Sequence, residues 1–184
     1  MKNLACLFSL SEIVLLTVLL FESTQPSVLR RDENGDLIDQ TCKQTPYSDL
    51  CVSSLKSNPQ SSNTDLKGLA LVMVNNVLAN ATETLNYIEG LIKQTTDQQL
   101  EQALAFCAEL YIPVVKYSLP EAADAVSHGR FGFANYGISD AGNEAVTCEK
   151  KFSGSAKSPL TDRNKFVQKL SDVAAAILDQ LLKG

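Results

Sequence analysis

The feature that most constrains this chain is one apolar stripe running through residues 65–93. Leu66, Leu69, Met73, Val77, Ala81, Leu85, Ile88 and Ile92 recur at intervals of three and four, the spacing that lines up side chains on one face of an α-helix. No alternating strand pattern stands out against it. A helix of that length must lay its stripe against other helices, so the chain is predicted to be all-α.

Three more stripes follow. Leu100, Leu104, Cys107, Tyr111 and Val114 form the second, opened by the capping box Thr96-Asp97-Gln98-Gln99. Pro113 is predicted to kink it, because proline lacks an N–H and crowds the preceding turn. Ser118-Leu119-Pro120-Glu121 is a second capping signal and is predicted to open the third helix. That helix is interrupted, then resumes with Ala134, Ile138, Ala141, Ala145, Cys148 and Phe152. Ser158-Pro159 is predicted to cap the last helix, with Phe166, Leu170, Val173, Ile177 and Leu181 as its apolar face. Upstream, residues 28–36 read as a flexible polar segment and 37–57 as two short helices divided at Thr45-Pro46. Residues 58–63 are a polar linker. Short connections make neighbouring helices antiparallel. The expected architecture is an up-down-up-down four-helix bundle over 65–183, preceded by a helical hairpin over 37–57.

The N-terminus has the form of a signal peptide: Lys2, then an apolar core from Ile13 to Phe21 that is too short to span a bilayer. Cleavage is placed near residue 27. Cys6 leaves with it, and Cys42, Cys51, Cys107 and Cys148 remain. An even count in a secreted chain argues for two disulfides. Four cysteines allow three pairings. Stripe placement favours Cys42–Cys51 across the hairpin and Cys107–Cys148 across the seam between the second and third helices. Asn80-Ala81-Thr82 is a glycosylation sequon, which makes Asn80 the candidate acceptor.

The net charge is −5, and −4 once residues 1–27 are removed, so a nucleic-acid partner is not expected. With one histidine and no C-x-x-C pair, neither is a zinc site, and no cofactor motif is present. There is no nucleophile elbow or phosphate loop. Two carboxylates could form a glycosidase pair, but a thin helical bundle offers little cleft for a sugar. The chain does not read as an enzyme.

One stretch breaks the helical pattern: Ser127-His128-Gly129-Arg130-Phe131-Gly132-Phe133-Ala134-Asn135-Tyr136-Gly137. It holds the sole histidine and groups aromatics and glycines around an arginine. The bland reading is a kinked helix with its phenylalanines in the core. The functional reading is a plug presented to another protein.

The boxes around the cysteines decide between these classes. Thr41-Cys42-Lys43-Gln44-Thr45-Pro46-Tyr47-Ser48-Asp49-Leu50-Cys51, "ALAFCAELY" (103–111) and "AVTCEKKF" (145–152) resemble the cysteine boxes of plant invertase and pectin methylesterase inhibitors. The resemblance covers about residues 37–183. It implies a secreted, non-enzymatic inhibitor of a carbohydrate-active enzyme, with the same bundle, hairpin and disulfides. In the invertase branch a Pro-Lys-Phe motif ahead of the fourth cysteine enters the active site. Counting back from Cys148 puts Phe133 on the motif's phenylalanine, and Phe131 and Gly132 on its proline and lysine. No lysine is present, and Arg130 is the candidate to replace its charge. The stretch "FANYGISDAGNEA" is more similar to the invertase branch.

The resemblance therefore implies a 1:1 complex with a plant acid invertase of the cell wall or vacuole. His128, Arg130, Phe131, Phe133, Asn135 and Tyr136 are the candidate target-binding residues. Arg130 would meet the paired carboxylates of the sucrose pocket, Phe131 and Phe133 would anchor, and Asn135 and Tyr136 would give polar support. His128 would add positive charge under acidic conditions. The alternative is a pectin methylesterase inhibitor that covers its target's cleft with a bundle face. A bundle that binds an apolar ligand between its helices is a third possibility.

Overall fold

The computed structural model describes residues 33–152 and 157–184, with side chains from Leu37 onward. The expected signal peptide (1–27) and the first part of the polar segment after it lie outside the described residues. Helix α1 spans Glu33–Lys43 and α2 Ser48–Lys56. Residues 33–36, expected to be flexible, are thus already helical backbone. Thr45-Pro46 does separate the two helices, with the Thr45 hydroxyl donating to the Cys42 carbonyl at 2.8 Å. The Cys42–Cys51 disulfide closes the hairpin with its Cα atoms 5.5 Å apart. Ile38, Cys42, Cys51 and Leu55 are buried, so the hairpin contributes to the core.

Helix α3 (Leu66–Gln94) starts at Asp65, whose carboxylate accepts the Gly68 N–H at 2.8 Å. From Leu69 to Ile88 the predicted stripe is buried, with Leu66 and Ile92 half-buried at its ends. Helix α4 spans Gln98–Pro113. Its cap is Asp97, one residue later than the expected Thr96; Asp97 Oδ1 accepts from Gln99 and Leu100 N–H at 2.9 and 3.3 Å.

The largest departure from expectation follows. Pro113 lies within the helix, and Ser118 does not open a new one. The backbone widens into a π-type turn over Val114–Ser118, where the Leu119 N–H reaches the Val114 carbonyl, and continues as α5 (Leu119–Ser127). Ser118 has helical dihedrals (φ −58°, ψ −47°) and caps nothing. Its hydroxyl donates instead to Asp140 Oδ2 at 2.8 Å. Residues 98–127 are therefore one continuous helical rod, and the chain reverses at 128–130, inside the aromatic stretch.

Helix α6 (Phe131–Lys150) runs back antiparallel to α5, and α7 (Thr161–Lys183) packs against α6 and α3. Gly137 makes the α5–α6 contact possible. A Cβ there would lie 2.5 Å from the Ser118 carbonyl oxygen. Ala134, Ile138, Ala141, Ala145, Cys148 and Phe152 are buried as predicted, and the Cys107–Cys148 disulfide joins α4 to α6 with its Cα atoms 4.9 Å apart. The up-down-up-down bundle is present, with its second reversal placed ten residues later than the capping signals suggest.

On α7 the buried face is Val167, Leu170, Val173, Ala174, Ile177 and Leu178. Phe166, expected in the core, is 41% exposed and lines a groove with Tyr47 and Lys169. Ser158 does not cap α7 directly. Its hydroxyl oxygen accepts the Leu160 N–H at 3.1 Å, one residue before the helix. The α6–α7 junction is tied by Glu149, whose carboxylate accepts from Ser158, Thr161 and Asn164 at 3.0, 2.6 and 2.9 Å.

Candidate functional site at the hairpin tip

The α5–α6 turn is built by its glycine. Gly129 has φ +73°, the left-handed conformation that a helix C-terminus needs and that other residues adopt at a cost. The turn closes with two bonds, Arg130 N–H to the Ala125 carbonyl at 2.8 Å and Gly129 N–H to the Val126 carbonyl at 3.0 Å. This pairing is a Schellman motif, and it folds Arg130 back over the last turn of α5. Within this stretch only His128, Gly129 and Arg130 lie outside the helices, so the interruption is a tight, hydrogen-bonded cap.

The six expected residues separate into groups. Arg130 Nη2 donates to Asp124 Oδ2 at 2.7 Å, and its guanidinium carbon lies 5.7 Å from the Phe133 ring centroid. His128, at the helix C-cap, places Nδ1 2.9 Å from the Asp124 carbonyl oxygen and 3.3 Å from its Oδ1. Phe133 is 52% exposed and Tyr136, one turn further along α6, is 79% exposed. These four form the accessible tip. Phe131 turns inward and is half-buried against the core. Asn135 faces α7, where its Nδ2 donates to Asp179 Oδ1 at 2.8 Å. It braces the tip from behind.

Sequence reading missed Asp124, the carboxylate on which Arg130 and His128 converge. It also missed the surface groove of about 360 Å³ formed by Pro120, Glu121, Asp124, Arg130 and Phe133. The signal was present but indirect. Asp124 lies six residues before Arg130, a separation that becomes a contact only once Gly129 is recognised as left-handed. Candidate acceptor Asn80 is half-buried in the interior of α3, its Nδ2 donating to the Asn76 carbonyl at 2.8 Å.

A family model described as plant invertase/pectin methylesterase inhibitor matches residues 36–177. The chain belongs to this family. Among its relatives, cell wall / vacuolar inhibitor of fructosidase 1 from Arabidopsis thaliana is 43% identical over 143 residues, 78% of this chain and 68% of that protein. A pectinesterase inhibitor from Actinidia deliciosa is 33% identical over 183 residues, 97% of this chain and 96% of that protein. The fold is similar to the crystal structure of a mutant pectin methylesterase inhibitor from Arabidopsis, with a TM-score of 0.68 at 23% identity over 77% of this chain and 95% of that one. The invertase/pectin methylesterase inhibitor bundle is thus the frame that holds the tip.

Proposed function

We propose that this chain is a secreted, non-enzymatic inhibitor of a plant acid invertase, acting through the α5–α6 tip in a 1:1 complex. The observation that carries the reading is the pairing of the Arg130 guanidinium with an exposed Phe133 ring at the end of a hydrogen-bonded hairpin. Glycosidases hold two carboxylates in their pockets, and a guanidinium is suited to bind them. An exposed aromatic beside it buries area and excludes water, as interface hot spots do. The relative named as an inhibitor of fructosidase supports this target class. That name also supports the cell wall or vacuole as destination. Among the described residues no helix is long and apolar enough to cross a membrane.

The pectin methylesterase reading is favoured by the pectinesterase inhibitor relative and by the similar crystal structure. Inhibition would then use a bundle face. Titrating the mature protein against an acid invertase and a pectin methylesterase separates the two. Arg130→Ala should abolish most inhibition of the invertase with melting unchanged. Unaltered inhibition would refute the tip mechanism.

A further inference from the structure

We propose that Asp124 is an intramolecular competitor for Arg130, a carboxylate that holds down the inhibitor's strength. This rests on the invertase-inhibitor reading above. In the free protein the Schellman turn carries Arg130 back over α5, and its Nη2 reaches Asp124 Oδ2 at 2.7 Å. Both side chains are more than half exposed, at 56% and 57%, so the pair is open to exchange with a partner. Arg130 is also the guanidinium that lies over Phe133, so the charge offered to a target is the charge Asp124 neutralises.

A target pocket lined by carboxylates leaves two routes. Arg130 abandons Asp124 and bonds to the target, which forfeits the internal pair. Or Arg130 bridges both, which brings Asp124 against carboxylates of its own sign. Coulomb repulsion opposes the second route and the lost contact opposes the first. Either way Asp124 weakens the complex. His128 Nδ1 contacts the other oxygen of the same carboxylate, and Glu121 lines the groove beside it, so the tip holds two acidic and two basic groups. Glu121 serves as the internal control, being a nearby carboxylate on the same groove.

The test compares inhibition constants against one acid invertase for the mature protein, Asp124→Asn, Glu121→Gln, Arg130→Ala and the Asp124→Asn/Arg130→Ala double variant. Asp124→Asn should tighten inhibition about two- to fivefold, the upper part of the range spanned by exposed ion pairs. The gain should vanish in the Arg130→Ala background, since a double-mutant cycle isolates the pair. Glu121→Gln should give less than half of it. Unchanged or weakened inhibition by Asp124→Asn overturns the proposal, as does an equal gain without Arg130 or an equal gain from Glu121→Gln. Asp124→Ala, read in the same way, replaces Asp124→Asn if the latter lowers the melting temperature. An inert Arg130→Ala would sink the inhibitory tip itself; an active Arg130→Ala with an inert Asp124→Asn would sink only the competitor.

Discussion

Tyr111 and Asn164, 53 residues apart in the chain, meet inside the bundle, the phenol donating to Asn164 Oδ1 at 2.8 Å. Asn164 passes the network on through Nδ2 to Glu149 Oε2 at 2.9 Å and Cys148 Sγ at 3.3 Å. Both Tyr111 and Asn164 are almost fully buried, at 1% and 2% exposure. Burial pushes the Tyr111 phenol well above its usual range, and the nearby Glu149 carboxylate adds to the shift. Tyr111→Phe leaves an amide oxygen unpaired and should cost about 1–2 kcal/mol in denaturant unfolding. Asn164→Leu strands the phenol and deprives Glu149 of one donor, and should cost more. Equal stability in all three proteins would show that the network adds nothing.

Glu149 makes stability depend on acid. Partial burial opposes its ionisation, but hydrogen bonds from Thr161, Asn164 and Ser158, with Lys165 nearby, outweigh that and hold its carboxyl below the ordinary glutamate value of 4.5. The unfolded chain therefore takes up the proton more readily than the folded one. The stabilisation is present above that ordinary value and is lost as pH falls through the lower folded one. Glu149→Gln should lower the melting temperature near neutral pH, and its deficit should shrink as pH drops below the ordinary value. A deficit that stays constant across this range would contradict the linkage.

Gly137 and Gly90 should respond to alanine in opposite ways. Nothing lies within 4 Å of a Cβ built on Gly90, so Gly90→Ala should stabilise α3 by about 0.5–1 kcal/mol. At Gly137 the same methyl meets the Ser118 backbone oxygen at 2.5 Å. Separating α5 from α6 should then cost about 1–3 kcal/mol, outweighing the helix propensity gained. Thermal melts of the two variants decide this, and a stabilised Gly137→Ala would mean the helices are not held this closely.

Serine at both Cys107 and Cys148 should lower stability by about 4 kcal/mol, the loop-closure value for a bridge of this span. The bond lies near the far end of α6 from Arg130, roughly 25 Å along the helix axis. Loss of inhibition should therefore follow the folded fraction. Weakened inhibition at temperatures where the variant is fully folded would show that the bridge shapes the tip directly.

Helical periodicity and cysteine boxes made the bundle legible before any coordinates, because both are local or depend on residue identity alone. The stripes of α3 and α6, the split at Thr45-Pro46 and both disulfide pairings follow from them. Periodicity gives a face relative to a helix's own axis but not the direction of the neighbours. That is why Phe166 was expected inside, when the contacts of α7 select the adjacent Val167 and leave Phe166 out. Ser118 carries a capping signal and still does not cap. Asp140 takes its hydroxyl and Gly137 reaches its carbonyl, so contacts with α6 rather than local preference decide that the rod runs on. The same holds at the tip. Sequence alone singled out Arg130 and Phe133 as chemically unusual. The left-handed Gly129 and the fold of α6 against α5 determined that Phe131 turns inward, Phe133 outward, and Arg130 onto Asp124, because a side chain's partners are set by where the backbone places it in space.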